Sequence, residues 1–248
     1  MLTPSSRQPF GRTDIVRSGA DALENRRTAF AFHLLLAAGA LACLGLLALT
    51  IDLPVAAWCK GGHLPRELMR IMNFSEIFAH GTGATILLIT ALVLDPSLAM
   101  PTLAWPQFQP RGAQQEFARM IAAVTTGGLL ADGVKLIVDR VRPRAADLAL
   151  HSSALDTFAE AAVAAVTGSR ADINSFPSGH AAVAAALAAA LSWHYPRGSV
   201  LFWLFALSAS LQRVATSAHF PSDICCGAAV GLLGAAIFLR SDRKPSSP

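Results

Sequence analysis

Charge is what this chain has least of. Only 15% of its 248 residues are Asp, Glu, Lys or Arg, while 53% are hydrophobic. A soluble domain carries about 25% charged residues, so a water-facing globule of ordinary composition is excluded. Cysteine is scarce too: Cys43, Cys59, Cys225 and Cys226 form no C-x-x-C pair. That argues against a structural zinc site and a disulfide framework, and the four read as small apolar packing residues. No dense carboxylate cluster of the kind Mg²⁺ sites use is present. The net charge of +4 is modest, and no basic stripe marks the chain as a nucleic-acid binder. There is no convincing internal repeat.

What fills the space instead is apolar. Runs stand at residues 28–51, 77–94, 117–138, 179–195, 198–218 and 221–239. A membrane-spanning helix needs about 17–25 such residues, and continuous runs of this length cross a bilayer as helices. The first run is longer than the roughly 7–15 apolar residues of a signal-peptide core, so it reads as an anchor. The expected fold is all-α: a polytopic membrane protein with a bundle of six transmembrane helices over 28–239. A polar tail over 1–27 precedes it, and a short one over 240–248 follows.

An even number of spans puts both tails on one side. Arg7, Arg12, Arg17, Arg26 and Arg27 at one end, with Arg240, Arg243 and Lys244 at the other, assign that side to the cytoplasm. The outer connections are then 52–76, 139–177 and the corner at His219 and Phe220. That face holds Arg140, Arg142, Arg144 and Arg170, against the usual trend, and anion binding would be one reason to keep them.

Three polar clusters interrupt the apolar pattern, all at the outer boundary. The first contains Lys135, then Arg142 and Pro143. Seven residues place Lys135 and Arg142 on nearly one helix face, and two cations suit a group with several anionic oxygens. Snorkelling to the interface is the plain alternative. Asp132, one turn from Lys135, reads as its ion-pair partner.

The second cluster is Pro177-Ser178-Gly179-His180. Ser178 reads as an N-cap, so unpaired backbone N–H groups and the positive end of the helix dipole favour an anion there. Glycine lets that anion approach the backbone, and His180 stands beside it as a proton donor. As a lone motif it could equally be only a cap.

The third cluster runs from Arg213 to His219 and Asp223. Four residues around Pro221 can bring the carboxylate to the imidazole, as in a nucleophile–orienter pair. An interfacial His–Asp pair with a capping role is the alternative.

Together, in this order and spacing, the three clusters resemble the motifs of the type 2 phosphatidic acid phosphatase superfamily. These are membrane lipid phosphatases whose sites are related to those of vanadium-dependent haloperoxidases. The resemblance covers roughly residues 70–240. It implies that His219 is the nucleophile that becomes a phosphohistidine, that Asp223 orients it, and that His180 is the general acid and base. It also implies that Lys135, Arg142, Ser178, Gly179 and Arg213 hold the phosphoryl oxygens. No metal or other cofactor is implied. The family's third motif usually opens Ser-Arg, whereas this chain has Gln212 before Arg213.

The function implied is hydrolysis of a lipid phosphate or diphosphate at the periplasmic face of a bacterial inner membrane. Candidate substrates are undecaprenyl diphosphate, phosphatidylglycerol phosphate, phosphatidic acid and lipid A phosphate. Arg140 and Arg144 would suit a diphosphate or contact head groups. The partners are then the bilayer and its lipid phosphate; nucleic acid is not among them, and oligomeric state is not readable. The alternatives are a protein that binds or moves lipid without catalysis, and a vanadate-dependent haloperoxidase-like enzyme. His33, His63, His80, His151 and His194 match no motif and read as structural or surface residues. Residues 154–166 suggest an amphipathic helix on the membrane that caps the site.

Overall fold

The computed structural model describes residues 12–95, 113–159, 163–164 and 169–240. Eight α-helices carry the described fold. They are α1 (Arg12–Ala48), α2 (Asp52–Lys60), α3 (Arg66–Ala79), α4 (Gly81–Leu94), α5 (Ala113–Lys135), α6 (Gly179–His194), α7 (Ser199–Ala215) and α8 (Pro221–Leu239). The only extended pairing among the described residues is one parallel bridge between Arg140 and Asn174. The basic residues Arg243 and Lys244, and most of the 95–116 connection, lie outside the described residues. At the other end, α1 begins at Arg12, inside the stretch expected as a tail.

The surface is inverted relative to a soluble protein. Leu35, Leu36 and Leu47 on α1, Ile86 and Val93 on α4, and Val200 and Leu204 on α7 are all exposed. The interior holds alanine: from Ala181 to Ala190, α6 buries eight alanines and Leu187. A chain with large apolar groups outside and small ones inside is built for lipid surroundings, where close packing of small residues holds helices together.

Helix α8 is the hub, packing on α1, α5 and α6. Its glycines make that possible. A Cβ on Gly227 would stand 2.3 Å from the Ser178 carbonyl oxygen, and one on Gly231 would stand 2.2 Å from that of Ala182. Both distances are far inside van der Waals contact, so α8 and α6 touch backbone to backbone.

Among the described residues, four helices are long and apolar enough to cross a membrane: 27–48 of α1, α5, 196–215 including α7, and α8. Taken as one broken span, α3 and α4, bent by 73° at His80, would make a fifth candidate. The expected count of six is therefore not reached on length and apolarity. Helix α6 has 16 residues, about 24 Å at 1.5 Å per residue, against a hydrocarbon core of about 30 Å. The run expected as one span at 77–94 is instead an elbow. A Cβ on Gly83 would meet the Ile77 carbonyl oxygen at 1.9 Å, so the tight bend depends on glycine.

Helix α5 ends at Lys135, which separates it from Arg142. The backbone N–H groups of Arg140 and Arg142 donate to the carbonyls of Ile173 and Asp172, both at 2.7 Å. Pairing with residues 172–175 thus replaces the next helical turn. The expectation that Lys135 and Arg142 share one helix face is corrected on this point.

Candidate active site

Four helix ends meet at one end of the bundle: the C-termini of α5 and α7 and the N-termini of α6 and α8. The cap of α6 is Ser178, fully buried, whose side chain accepts from the Ala181 N–H at 3.4 Å. The Ser178 N–H donates to the Asp223 backbone carbonyl at 3.0 Å, which locks α6 to the first turn of α8. Gly179 lies beside Lys135, whose Nζ would be 2.8 Å from a Cβ at that position. Lys135 in turn bonds Asp132 at 3.1 Å, the pairing expected from their spacing.

His180 is in electrostatic reach of Arg213, His219 and Lys135, and also of His80. The His80 and His180 rings are 5.1 Å apart and perpendicular. Arg142 in turn feels Arg213 and Asp223. The three clusters, separated in sequence, are thereby one cationic patch around two imidazoles. Two of its guanidinium nitrogens, Arg142 Nε and Arg213 Nε, are buried without a hydrogen-bond partner. A buried unpaired donor costs about 1–3 kcal/mol, and an oxygen-rich anion would satisfy both.

His219 is buried and held at Nδ1 by the backbone carbonyl of Ser175, at 2.7 Å. That bond makes Nδ1 the donor and leaves Nε2 as the neutral ring's lone-pair nitrogen. The expected orienter is further away: Asp223 Oδ2 lies 3.6 Å from Nδ1, outside hydrogen-bonding distance. Asp223 is occupied by three other donors, namely Arg140, the Ser175 hydroxyl at 2.5 Å and the Phe220 N–H at 2.8 Å. It therefore reaches His219 through Ser175 and through its field. Burial pushes the His219 pKa below the usual imidazole range; Asp223 opposes this, while Arg142 and Arg213 add to it. Burial and the neighbouring Arg144 and Arg213 likewise lower that of Arg142.

The centre of this framework is a residue that sequence reasoning assigned elsewhere. Arg140 is fully buried and faces no solvent or head group. It donates to Thr157 at 2.9 Å, to Ser222 at 2.7 Å, to Asp52 at 2.7 Å, and to Asp223. Phe158 and Phe220 cover its guanidinium at 4.4 and 4.1 Å. A role for Arg140 on a diphosphate is thus corrected: all its nitrogens are engaged by protein. Arg144 is half-exposed and pairs with Asp172 at 2.7 Å.

Asp52, at the head of α2, carries no signal of a role in the sequence. It accepts from the Ser222 N–H at 3.0 Å and from the Ser222 hydroxyl, so the first outer connection braces the first turn of α8. An acid at the end of an apolar run looks like any membrane boundary, and nothing in the spacing links residue 52 to residue 140. The loop expected as an amphipathic helix begins instead with a 3₁₀ turn, Ala154–Phe158, capped reciprocally by Ser153 and Asp156. It carries Thr157 and Phe158 onto Arg140; residues 160–162 and 165–168 lie outside the described residues.

The sequence profile of the PAP2 superfamily matches residues 116–246. The chain belongs to the PAP2 superfamily. Curated relatives share part of it: "Lipid A 1-phosphatase" of Rhizobium johnstonii is 35% identical over 50% of this chain and 48% of its own length. The Rhizobium etli protein of the same name is 33% identical over 50% of this chain and 50% of its own. A third of that name, from Porphyromonas gingivalis, is 41% identical over 24% of this chain and 14% of its own. The chain thus spans about half the length of the two Rhizobium relatives that it matches. No solved structure matches it significantly. The PAP2 match begins at residue 116, so the elbow at His80 and the Asp52 brace precede it.

Proposed function

We propose that this PAP2 protein is a membrane-embedded phosphatase that removes phosphate from a lipid through a phosphohistidine intermediate. The observation that carries the reading is the pair of buried, unpartnered guanidinium nitrogens, Arg142 Nε and Arg213 Nε, beside two imidazoles. Cations with free donors bind phosphoryl oxygens, and preorganised charge is the largest contribution to stabilising such a transition state.

In this mechanism His219 Nε2 attacks phosphorus, its ring held by the Ser175 carbonyl. The P–N bond forms as the bond to the lipid oxygen breaks, and protonated His180 gives its proton to that oxygen. Neutral His180 then takes a proton from water, which attacks phosphorus and breaks the P–N bond. Lys135, Arg142, Arg213 and the N-terminus of α6, through Ser178 and Gly179, hold the phosphoryl oxygens throughout. Asp223 anchors Ser175 and the corner at Phe220, and so keeps His219 in place.

The substrate favoured by the relatives is a lipid A phosphate, with the site at the periplasmic face of a bacterial inner membrane and both termini cytoplasmic. Purified protein in detergent with EDTA should release inorganic phosphate from lipid A 1-phosphate. His219→Ala should lower that rate at least about a thousandfold. Persistence of activity in the variant would remove His219 as nucleophile. A reporter fused to the C-terminus that reads out as periplasmic would overturn the orientation.

A further inference from the structure

The elbow between α3 and α4 brings a second polar row to the mouth of the site. Glu76 Oε1 accepts from Arg213 at 2.7 Å, and its other oxygen has no hydrogen bond among the described residues. Its side chain is about one third exposed. One turn on, His80 is exposed and lies against His180. Asn73, one turn earlier, accepts from the Gln212 side chain at 3.0 Å, and Gln212 in turn accepts from Arg213 at 3.3 Å. Gln212 is thus the link between the third motif and α3, which accounts physically for a long amide at that position.

An ionised carboxylate is an acceptor only, and so is a phosphate dianion. Glu76 therefore cannot bind the group that Arg213 binds, and like charges would repel at that distance. What it can bind is a hydrogen-bond donor, which a lipid phosphate dianion carries only on its leaving group. We propose that Glu76 and His80 form a head-group subsite selecting a leaving group with hydroxyl or amide donors, a glycosyl phosphate, over one with none, such as a diacylglycerol phosphate. The inference rests on the phosphatase reading above and names the residues that would set its substrate class.

The test compares two substrates on wild-type protein and on Glu76→Gln, which keeps an acceptor for Arg213 but loses the charge. Wild-type kcat/KM for a lipid glycosyl phosphate should exceed that for phosphatidic acid, and Glu76→Gln should shrink that ratio at least tenfold. His80→Phe keeps a ring against His180 and should shrink it by a smaller factor. An equal loss on both substrates would make Glu76 only a positioning residue for Arg213, and the proposal would fail. A wild-type arm needs no variant: a glycosyl phosphate with its ring hydroxyls methylated should be hydrolysed at least tenfold more slowly. An unchanged rate there sinks the subsite while leaving the phosphatase intact; no hydrolysis of any lipid phosphate sinks the phosphatase reading itself.

Discussion

The two ends of α6 carry similar residues and treat them in opposite ways. At its C-terminus, His194 sits between Asp95 and Glu116 at 3.4 and 3.3 Å. Arg27 pairs with the same Glu116, and Arg119 donates to the Arg240 carbonyl at 2.9 Å. Both Asp95 and Glu116 there are engaged by basic side chains. At the N-terminus Asp132 pairs with Lys135, Glu76 with Arg213 and Asp172 with Arg144, while Asp223 and Asp52 are tied to Arg140. Arg142 and Arg213 keep buried donors without partners. One end of the bundle ties its His194 and Arg27 to acids; the other leaves cationic donors that an anion would satisfy.

The largest expected effect tests whether the open end is held by its buried framework. Arg140→Ala would leave Asp52 and Asp223 buried without their common cation, a loss of about 3–5 kcal/mol. Arg27→Ala at the His194 end, with a partly exposed pair, should cost no more than about 1 kcal/mol. Unfolding temperatures in detergent compare them, and equal shifts would break the contrast.

A middle-sized effect concerns the unpaired donors. Arg142→Ala should leave the unliganded protein as stable or slightly more so, because a poorly satisfied cation is removed. The same change should weaken orthovanadate binding by about 1.5–3 kcal/mol, the size of a hydrogen bond to a charged group. Thermal shift with and without vanadate reads both. A drop in stability without vanadate would mean that Arg142 is structural.

The smallest effect is a pH slope. Burial lowers the His219 pKa in the folded state, so protonation is disfavoured there relative to the unfolded chain. Stability from this group is complete above the ordinary imidazole pKa of about 6.5, and falls as pH drops below it. The slope cannot exceed about 1.4 kcal/mol per pH unit for one proton. His219→Gln should flatten it, and an unchanged slope between pH 6.5 and 5 would assign it to other groups.

How much of this was readable beforehand depends on sequence distance. Ser178 capping α6, Asp132 pairing with Lys135, and the gathering of Lys135, His180, Arg213 and His219 at one end follow from local patterns and from alternating spans. The contacts that correct the reading are long-range. Arg140 meets Asp52 and Asp223 across 88 and 83 residues, and Gln212 meets Asn73 across 139. His80 reads as an unremarkable histidine until the elbow brings it to His180. The apolar run 77–94 gives no sign of a bend, because hydropathy measures what a helix can be buried in and not where it turns.

By itself the sequence determined an apolar, alanine-cored bundle and the residue types gathered at its open end, since both are written in composition and period. Only the tertiary structure decided which charges face a ligand and which hold the frame. Arg140 and Arg142 stand two residues apart and would read alike. Their difference arises because α2, α8 and the Ala154–Phe158 turn close around one guanidinium and leave part of the other without a partner, and pairing between segments so far apart in sequence has no local signature.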